Sequence, residues 1–207
     1  LYAMPLSGNC YKVAWILRLL NKTFEVKLIN ILKAENHTPD FLKKNPNAKV
    51  PVLELDDGSC LSESNAILLH FSEGTSYLPQ PSTLERAKVY EWLFFEQYSH
   101  EPCIAVRRAN RIFGRPCSAD RDKQLLEGGY KAFQVMETRL DRNDFLVGHA
   151  MTIADMALFA YTHHAEEDGG YDMSAYPGIQ KWLARMKETE GYVEMDSLLD
   201  RSFLKEE

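Results

Sequence analysis

The sequence predicts a mixed α/β domain followed by an all-helical domain. Strand-like and helical segments alternate over residues 1–74, whereas the segments beyond residue 84 repeat their apolar residues with the 3.6-residue period of helices. Residues 75–83 include Pro79, Pro81 and several hydroxyl residues, which is the composition of a linker. We therefore expect one domain at residues 1–74 and a second at residues 84–207.

The first domain opens with a short strand at residues 1–4 and a turn of small residues. The segment after the turn carries apolar residues at helical spacing, which predicts an amphipathic helix. Ser7 or Asn9 can cap the first turn of this helix. β-branched and aromatic residues at positions 23–31 then predict a second strand.

The rest of the first domain predicts a short helix, a hairpin and a final helix. The short helix falls in the polar stretch at residues 32–48, and strands at residues 50–55 and 59–61 flank an Asp-Asp-Gly turn. The final helix begins at Ser62 or Ser64. The resulting order, βαβαββα, is that of a thioredoxin-like sheet.

The second domain is predicted to be helical throughout. Its helical segments are residues 84–113, 118–142, 152–165 and 177–190. The first is long, and we expect it to bend near Pro102. Ser118 can cap the second, and the third opens on a capping box in which Thr152 pairs with Asp155 in place of the usual Glu or Gln.

The composition excludes several classes of protein. The 207 residues are 45% hydrophobic and 26% charged, as in an ordinary globular protein, and the formal net charge of −6 argues against a nucleic-acid partner. No apolar run approaches the roughly 20 residues of a membrane span. The four cysteines are far apart, which predicts reduced thiols in a cytoplasmic protein.

His163 and His164 precede acidic residues at a helix end, which indicates solvation of these side chains and not a metal site.

Three short segments of the first domain carry polar groups that can meet in space. Ser7 stands at the mouth of the first helix. A cis bond between Val50 and Pro51 would turn the Val50 backbone outward, where it can pair with a peptide as a strand does. Glu63 and Ser64 place a carboxylate and a hydroxyl at a helix start whose free N–H groups attract anions. Together these groups can hold a small peptide with its thiol near Ser7.

Each of these features also has an ordinary structural interpretation. Ser7 can be only a helix cap, and the other two segments can be a strand entry and a second cap. The sequence from Ser7 to Cys10 looks like a redox Cys-x-x-Cys motif in which serine replaces the first cysteine, and a hydroxyl cannot form a disulfide. Cys10 is favoured as a small core residue.

Three segments of the chain carry a recognisable motif: residues 45–68 (NPNAKVPVLELDDGSCLSESNAIL), 152–160 (TIADMALFA) and 176–186 (YPGIQKWLARM). The first is similar to the N-P-x-x-x-V-P…L…E-S-x-A-I block of the cytosolic glutathione transferases, and the other two resemble that family's C-terminal segments. On these motifs the sequence is identified as a member of that family. The S-G-N-C sequence at residues 7–10 looks most like the serine-type, theta-like and related bacterial enzymes. The resemblance covers nearly the whole chain and implies a homodimer that binds glutathione mainly through its thioredoxin-like domain.

The resemblance assigns roles to individual residues. Ser7 matches the hydroxyl that donates to the glutathione sulfur, with Asn9 beside it as a second catalytic candidate. Asn9 replaces the proline usual in theta enzymes and resembles bacterial relatives active on disulfides and peroxides. The implied glutathione contacts are Val50 and Pro51 for the cysteinyl unit, Glu63 and Ser64 for the γ-glutamyl unit, and Lys49 with Asn36 or His37 for the glycyl unit. Tyr98 and Arg107 are expected in a second-substrate pocket.

The resemblance therefore predicts a detoxifying transferase that conjugates the glutathione thiolate to small hydrophobic electrophiles. Glutathione is the co-substrate, and no cofactor or metal is expected. One alternative is a glutathione-dependent disulfide or peroxide reductase, in which the bound thiolate attacks sulfur or oxygen. A further alternative is a non-catalytic binding module, because one fold hosts many functions.

Overall fold

The computed structural model describes residues 1–198 of the chain. Its contacts divide the chain into two compact units. Gly74–Thr189 form the second unit, and Leu1–Glu73 form the first together with residues 190–198. We predicted that this last segment belongs to the helical domain. The remainder of that predicted domain, residues 199–207, lies outside the described residues.

A mixed sheet forms the centre of the first unit. Its strands among the described residues are β1 (Tyr2–Ala3), β2 (Lys27–Leu28), β3 (Val52–Glu54) and β4 (Cys60–Ser62). Their spatial order is β2-β1-β3-β4, and β1 is parallel to β2 but antiparallel to β3, which is antiparallel to β4. The predicted thioredoxin-like fold is confirmed.

Helices cover both faces of this sheet. They are α1 (Gly8–Leu19), α2 (Pro39–Lys44) and α3 (Ser64–Ser72). Successive strand residues point to opposite faces, so Ala3 and Leu53 pack with α1 and α3, while Val52 packs with Phe41 of α2. The side-chain alternation thus gives each face its own small core.

The second unit is helical. Its helices are α4 (Leu84–Phe95), α5 (Glu101–Ile112), α6 (Ala119–Leu140), α7 (Ile153–Thr162) and α8 (Pro177–Glu188). Every residue of α7 is buried, and its first turn has the predicted capping box of Thr152 and Asp155. Ser118 caps α6 as predicted, by accepting a hydrogen bond from the Arg121 N–H.

A π-helical turn at Glu96–His100 separates α4 from α5. It ends two residues before Pro102, near which we predicted a bend in one long helix. An interior proline has no N–H to donate into the helix and crowds the preceding turn. The wider π turn accommodates this proline, and the backbone stays helical from α4 through to α5.

The last described segment packs on α1 of the first unit. The Trp15 indole donates to the Gly191 carbonyl at 3.0 Å, and the Tyr11 hydroxyl donates to the Val193 carbonyl at 2.8 Å. A short helix, α9 (Met195–Leu198), ends the segment. Over the described part of the chain, no helix is both long and apolar enough to cross a membrane.

Candidate active site

The strand directions bring the predicted binding segments to one end of the sheet. Strands β1 and β4 run in the same sense and β3 runs against them. Ser7 follows the end of β1 and Glu63 follows the end of β4, while the Val50–Pro51 bond precedes the start of β3. The carboxyl ends of β1 and β4 and the amino end of β3 therefore share this end of the first unit.

Ser7 is half-buried at the start of α1 and is its N-cap. Its hydroxyl oxygen accepts a hydrogen bond from the Cys10 N–H at 3.3 Å. This contact uses a lone pair of the Ser7 oxygen, and the hydroxyl also interacts with the Cys10 sulfur, where it acts to lower the pKa of that thiol. The structural interpretation of Ser7 as a cap is therefore confirmed, and it is compatible with a donor role toward a bound thiol.

Cys10 is fully buried beneath this turn, as predicted for a core residue. Its sulfur accepts a hydrogen bond from the Met4 N–H at 3.4 Å. Burial raises the pKa of the Cys10 thiol to about 11, although the contacts with Ser7 and Met4 act in the opposite direction. The thiol is thus protonated and enclosed at neutral pH, and the protein offers no thiolate at this position.

A hydrogen bond joins the first turn of α1 to the first turn of α3. The Ser64 hydroxyl donates to Asn9 Oδ1 at 3.2 Å, and Ser64 is only 5% exposed. Glu63, the residue before it, is exposed and makes no side-chain cap contact with α3. Two helix N-termini meet here, and both their free N–H groups and their dipoles favour an anion.

The Val50–Pro51 peptide bond is cis, as the resemblance implies. Asn45 holds the chain on its approach to this bond, because its side-chain amide donates to the Lys49 carbonyl at 2.8 Å. The Lys49 side chain is exposed. Asn45 was not among the predicted site residues, although it is the first residue of the segment that carries the resemblance.

Asn36 and His37 lie on a 3₁₀ turn, Glu35–His37, that β2 leads into at the same end of the sheet. The Asn36 amide nitrogen donates to the Ala48 carbonyl at 2.7 Å and its side chain is buried. His37 is exposed. Of the two candidates for the glycyl contact, His37 is therefore the one whose side chain can reach a ligand, while Asn36 supports the loop that carries Lys49.

Comparison with known proteins agrees with this arrangement. The family model "Glutathione S-transferase, N-terminal domain" matches residues 1–76, and "Glutathione S-transferase, C-terminal domain" matches residues 96–190. A solved glutathione S-transferase from Pseudomonas fluorescens is 47% identical, with a TM-score of 0.88 over 94% of this chain and 96% of that chain.

This chain belongs to the glutathione S-transferase family.

Further relatives carry the same name. A solved glutathione S-transferase from Xanthobacter autotrophicus is 45% identical, with a TM-score of 0.90 over 96% of this chain and 98% of that chain. Glutathione S-transferase 2 of Anopheles gambiae is 28% identical over 190 residues, which are 89% of this chain and 88% of the relative. The serine-type subclass stays a prediction.

The two predicted second-substrate residues of this glutathione transferase lie in the helical unit in different surroundings. Tyr98, on the π turn, is 88% exposed. Arg107 is buried: its guanidinium pairs with Asp122 at 3.0 Å, donates to the Gly169 carbonyl and lies over the Tyr171 ring at 5.2 Å. Tyr98 is thus placed to meet another molecule, whereas Arg107 is engaged within the unit. Their assignment to a pocket stays a prediction.

The histidine pair at the end of α7 is used within the helical unit. His163 stacks on Phe159 with ring centroids 4.5 Å apart, and burial lowers the pKa of His163 to about 3. The Nδ1 atom of His164 lies 3.6 Å from Oδ2 of Asp168. Among residues 1–198, no group of three His, Cys, Asp or Glu side chains is arranged to hold a metal ion.

Proposed function

We propose that this glutathione S-transferase binds glutathione at the end of the sheet in its first unit and adds the glutathione thiolate to small hydrophobic electrophiles. The observation that carries the proposal is the place of the Ser7 hydroxyl, which caps α1 at the same end of the sheet as the α3 N-terminus and the cis Val50–Pro51 bond. The only protein thiol beside it, among the described residues, is buried and protonated. The nucleophile therefore comes from the bound substrate.

The three parts of glutathione find chemically matched groups around Ser7. Glu63 supplies an anion for the γ-glutamyl amine, and the α3 N-terminus at Ser64 supplies donors for the carboxylate on the same carbon. The Val50 backbone supports pairing with the cysteinyl unit. Lys49 and His37 are exposed on the loops that lie beside Val50 and supply charge and a donor for the glycyl carboxylate.

The activating effect of Ser7 can be given a magnitude. A free thiol with a pKa of about 8.5 is only about 3% thiolate at pH 7. A hydroxyl donor near a helix N-terminus lowers a thiol pKa by roughly two units, which corresponds to about 2.7 kcal/mol. Most of the bound glutathione would then be the reactive thiolate at pH 7.

The test is Ser7→Ala, assayed with an activated aryl halide over a range of pH. We expect kcat/KM at pH 7 to fall on the order of 10- to 30-fold, with activity recovering as the pH approaches about 8.5. Glutathione affinity should change little, because the γ-glutamyl contacts remain. Ser7→Thr keeps the hydroxyl and should retain most of the activity.

Ser118→Ala is the matched control for the loss of a helix cap. Ser118 caps α6 through the same kind of contact, at 3.2 Å to the Arg121 N–H, and both alanine substitutions should cost about 1 kcal/mol of stability. Only Ser7→Ala should change the pH profile. Full activity of Ser7→Ala at pH 7 would reduce Ser7 to a cap and refute the proposal.

A further inference from the structure

Asn9 faces α3, away from the cap of its own helix. Its side-chain oxygen, Oδ1, accepts the hydrogen bond from the Ser64 hydroxyl at 3.2 Å. Ser7, two positions earlier, directs its side-chain oxygen to the Cys10 N–H. The two polar residues of this turn are therefore oriented to different partners, and only Asn9 is bonded to the γ-glutamyl segment.

The direction of this hydrogen bond determines which atoms of the Ser64 side chain are left to contact a ligand. A carbonyl oxygen can only accept, so the single proton of the Ser64 hydroxyl is directed to Asn9. Ser64 is 5% exposed, so its side chain has little freedom to turn elsewhere. Its oxygen lone pairs and the backbone N–H groups of the first turn of α3 are then held in a fixed arrangement.

We propose that Asn9 is a positioning residue for the γ-glutamyl end of glutathione, acting through the Ser64 hydroxyl and not on the glutathione sulfur. The inference rests on the proposed glutathione site but makes a separate claim about it. Asn9 holds the N-terminus of α3 against the N-terminus of α1. The γ-glutamyl group bound at Ser64 and the glutathione thiol beside Ser7 are thereby kept at a fixed separation. A role at the sulfur, which the resemblance to disulfide-active relatives implies, predicts a different set of effects.

The experiment is a double-mutant cycle of Asn9→Ala and Ser64→Ala, with glutathione binding measured by calorimetry. A neutral hydrogen bond contributes about 1 kcal/mol, so each single variant should bind glutathione about 5-fold more weakly or worse. The double variant should bind no more weakly than Ser64→Ala alone, because the two residues act through one contact. Asn9→Leu, which matches asparagine in size without polar atoms, repeats the cycle should Asn9→Ala fail to fold.

The second measurement is the pKa of bound glutathione, followed by the ultraviolet absorbance of the thiolate against pH. A positioning role for Asn9 leaves this pKa unchanged in Asn9→Ala, whereas Ser7→Ala, measured in parallel, should raise it. The Asn9 substitution would then change the affinity for glutathione, and the Ser7 substitution would change the ionisation of the bound glutathione thiol.

Two outcomes overturn the inference while the parent chain still binds glutathione. The first is a bound-thiol pKa that rises in Asn9→Ala as it does in Ser7→Ala. The second is a double-mutant cycle in which the losses from Asn9→Ala and Ser64→Ala simply add. A parent chain that binds no glutathione would refute the proposed function itself, and this result is visible before any variant is made.

Discussion

At the scale of single residues, backbone conformation marks the candidate site. Leu6, Ala48 and Glu63 have positive φ values of 67°, 54° and 65°, a region that non-glycine residues seldom occupy because of steric crowding. They immediately precede Ser7, the Lys49 loop and Ser64. Such conformations cost of order 1–3 kcal/mol each and persist where the surrounding structure requires them. These three lie at the end of the sheet that carries the candidate site, and the other non-glycine residues with positive φ among residues 1–198 are Asn21, Ala34 and Ser82.

Glu63→Gln tests the γ-glutamyl assignment. The substitution keeps the size of the side chain but removes the charge that would pair with the ligand amine. A charge-assisted hydrogen bond contributes about 1.5–3 kcal/mol, so glutathione should bind about 10- to 100-fold more weakly. Calorimetry with glutathione and with an analogue lacking the γ-glutamyl amine measures this effect.

The analogue is the internal control for this prediction. It lacks the group that Glu63 contacts, so the parent chain and Glu63→Gln should bind it with similar affinity. If Glu63→Gln binds glutathione as tightly as the parent chain, the amine is recognised elsewhere and the site assignment is wrong.

Cys10 decides whether a protein thiol takes part in the reaction. Its pKa of about 11 lies above the ordinary value of 9.0 because the thiol is buried, so it stays protonated at pH 8. We expect iodoacetamide to alkylate the exposed Cys117 while Cys10 remains unmodified in the folded protein. Peptide mass spectrometry distinguishes the two sites.

Cys10→Ala should therefore leave activity with aryl halides, organic peroxides and small mixed disulfides largely unchanged. The bound glutathione supplies the thiolate in each of these reactions. Loss of peroxide or disulfide activity in Cys10→Ala would instead support a reductase that uses a protein thiol, and would contradict the role given to Ser7.

The sequence predicted the site segments better than their contacts. Ser7 as a cap and Cys10 as a core residue follow from local helix chemistry, and both are confirmed. The Asn9–Ser64 hydrogen bond joins residues 55 positions apart, and no local pattern contains that information. The choice between Asn36 and His37 likewise required the fold, because burial on a 3₁₀ turn follows from tertiary packing.

At the scale of elements, periodicity located the helices but overstated the strands. We predicted a strand at residues 23–31, but only Lys27–Leu28 pairs, because its partner β1 is itself confined to Tyr2–Ala3. Beyond β2, the Asn30 side chain accepts from two backbone N–H groups and starts a 3₁₀ turn. A side-chain cap of this kind competes with the sheet ladder for the backbone.

The start of α7 is held by a single buried carboxylate. Asp155 accepts hydrogen bonds from the Leu146 N–H, the Trp182 indole, and both the N–H and the hydroxyl of Thr152, at 2.9 to 3.1 Å. Two points of the loop between α6 and α7, together with helix α8, are thereby joined to the first turn of α7. The Asp155 carboxylate thus has a structural role in the helical unit, as the capping box predicts.

Asp155→Asn should destabilise the helical unit by about 2–4 kcal/mol. The amide directs two N–H groups at existing donors, and each buried donor that loses its acceptor costs about 1–3 kcal/mol. Urea denaturation measures the loss. Asp141→Asn, at the exposed end of α6, is the control and should change stability by less than about 0.5 kcal/mol. Equal stability of Asp155→Asn and the parent chain would contradict this role for the carboxylate.

At the scale of the whole molecule, the compact units do not follow the chain order. Residues 190–198 return to the first unit and pack on α1 through Tyr11 and Trp15. The sequence of α1 did not predict this contact, because aromatic side chains such as Tyr11 and Trp15 are expected to be buried in any hydrophobic core. Gly191 has a φ of +78°, a backbone conformation that residues with a side chain rarely adopt, so glycine is favoured where the chain returns to α1.

The homodimer that the resemblance implies can be tested on the surface of the helical unit. Leu84, Phe94 and Tyr98, along α4 and the π turn, are 76%, 75% and 88% exposed. Large apolar side chains concentrated on one exposed helix are typical of an interaction surface. We expect the parent chain to sediment as a dimer and Phe94→Asp to weaken dimerisation at least about 30-fold, because truncating a central aromatic anchor costs 2 kcal/mol or more.

Leu32→Asp is the matched control for this prediction. Leu32 is 52% exposed on a 3₁₀ turn of the first unit, whereas α4 belongs to the second unit. This variant should remain dimeric in sedimentation at every concentration at which the parent chain is dimeric. Glutathione binding per chain should survive in Phe94→Asp, because the residues proposed to hold glutathione belong to the first unit. A monomeric parent chain, or a Phe94→Asp variant that dimerises as tightly as the parent, would show that this surface is not the dimer interface.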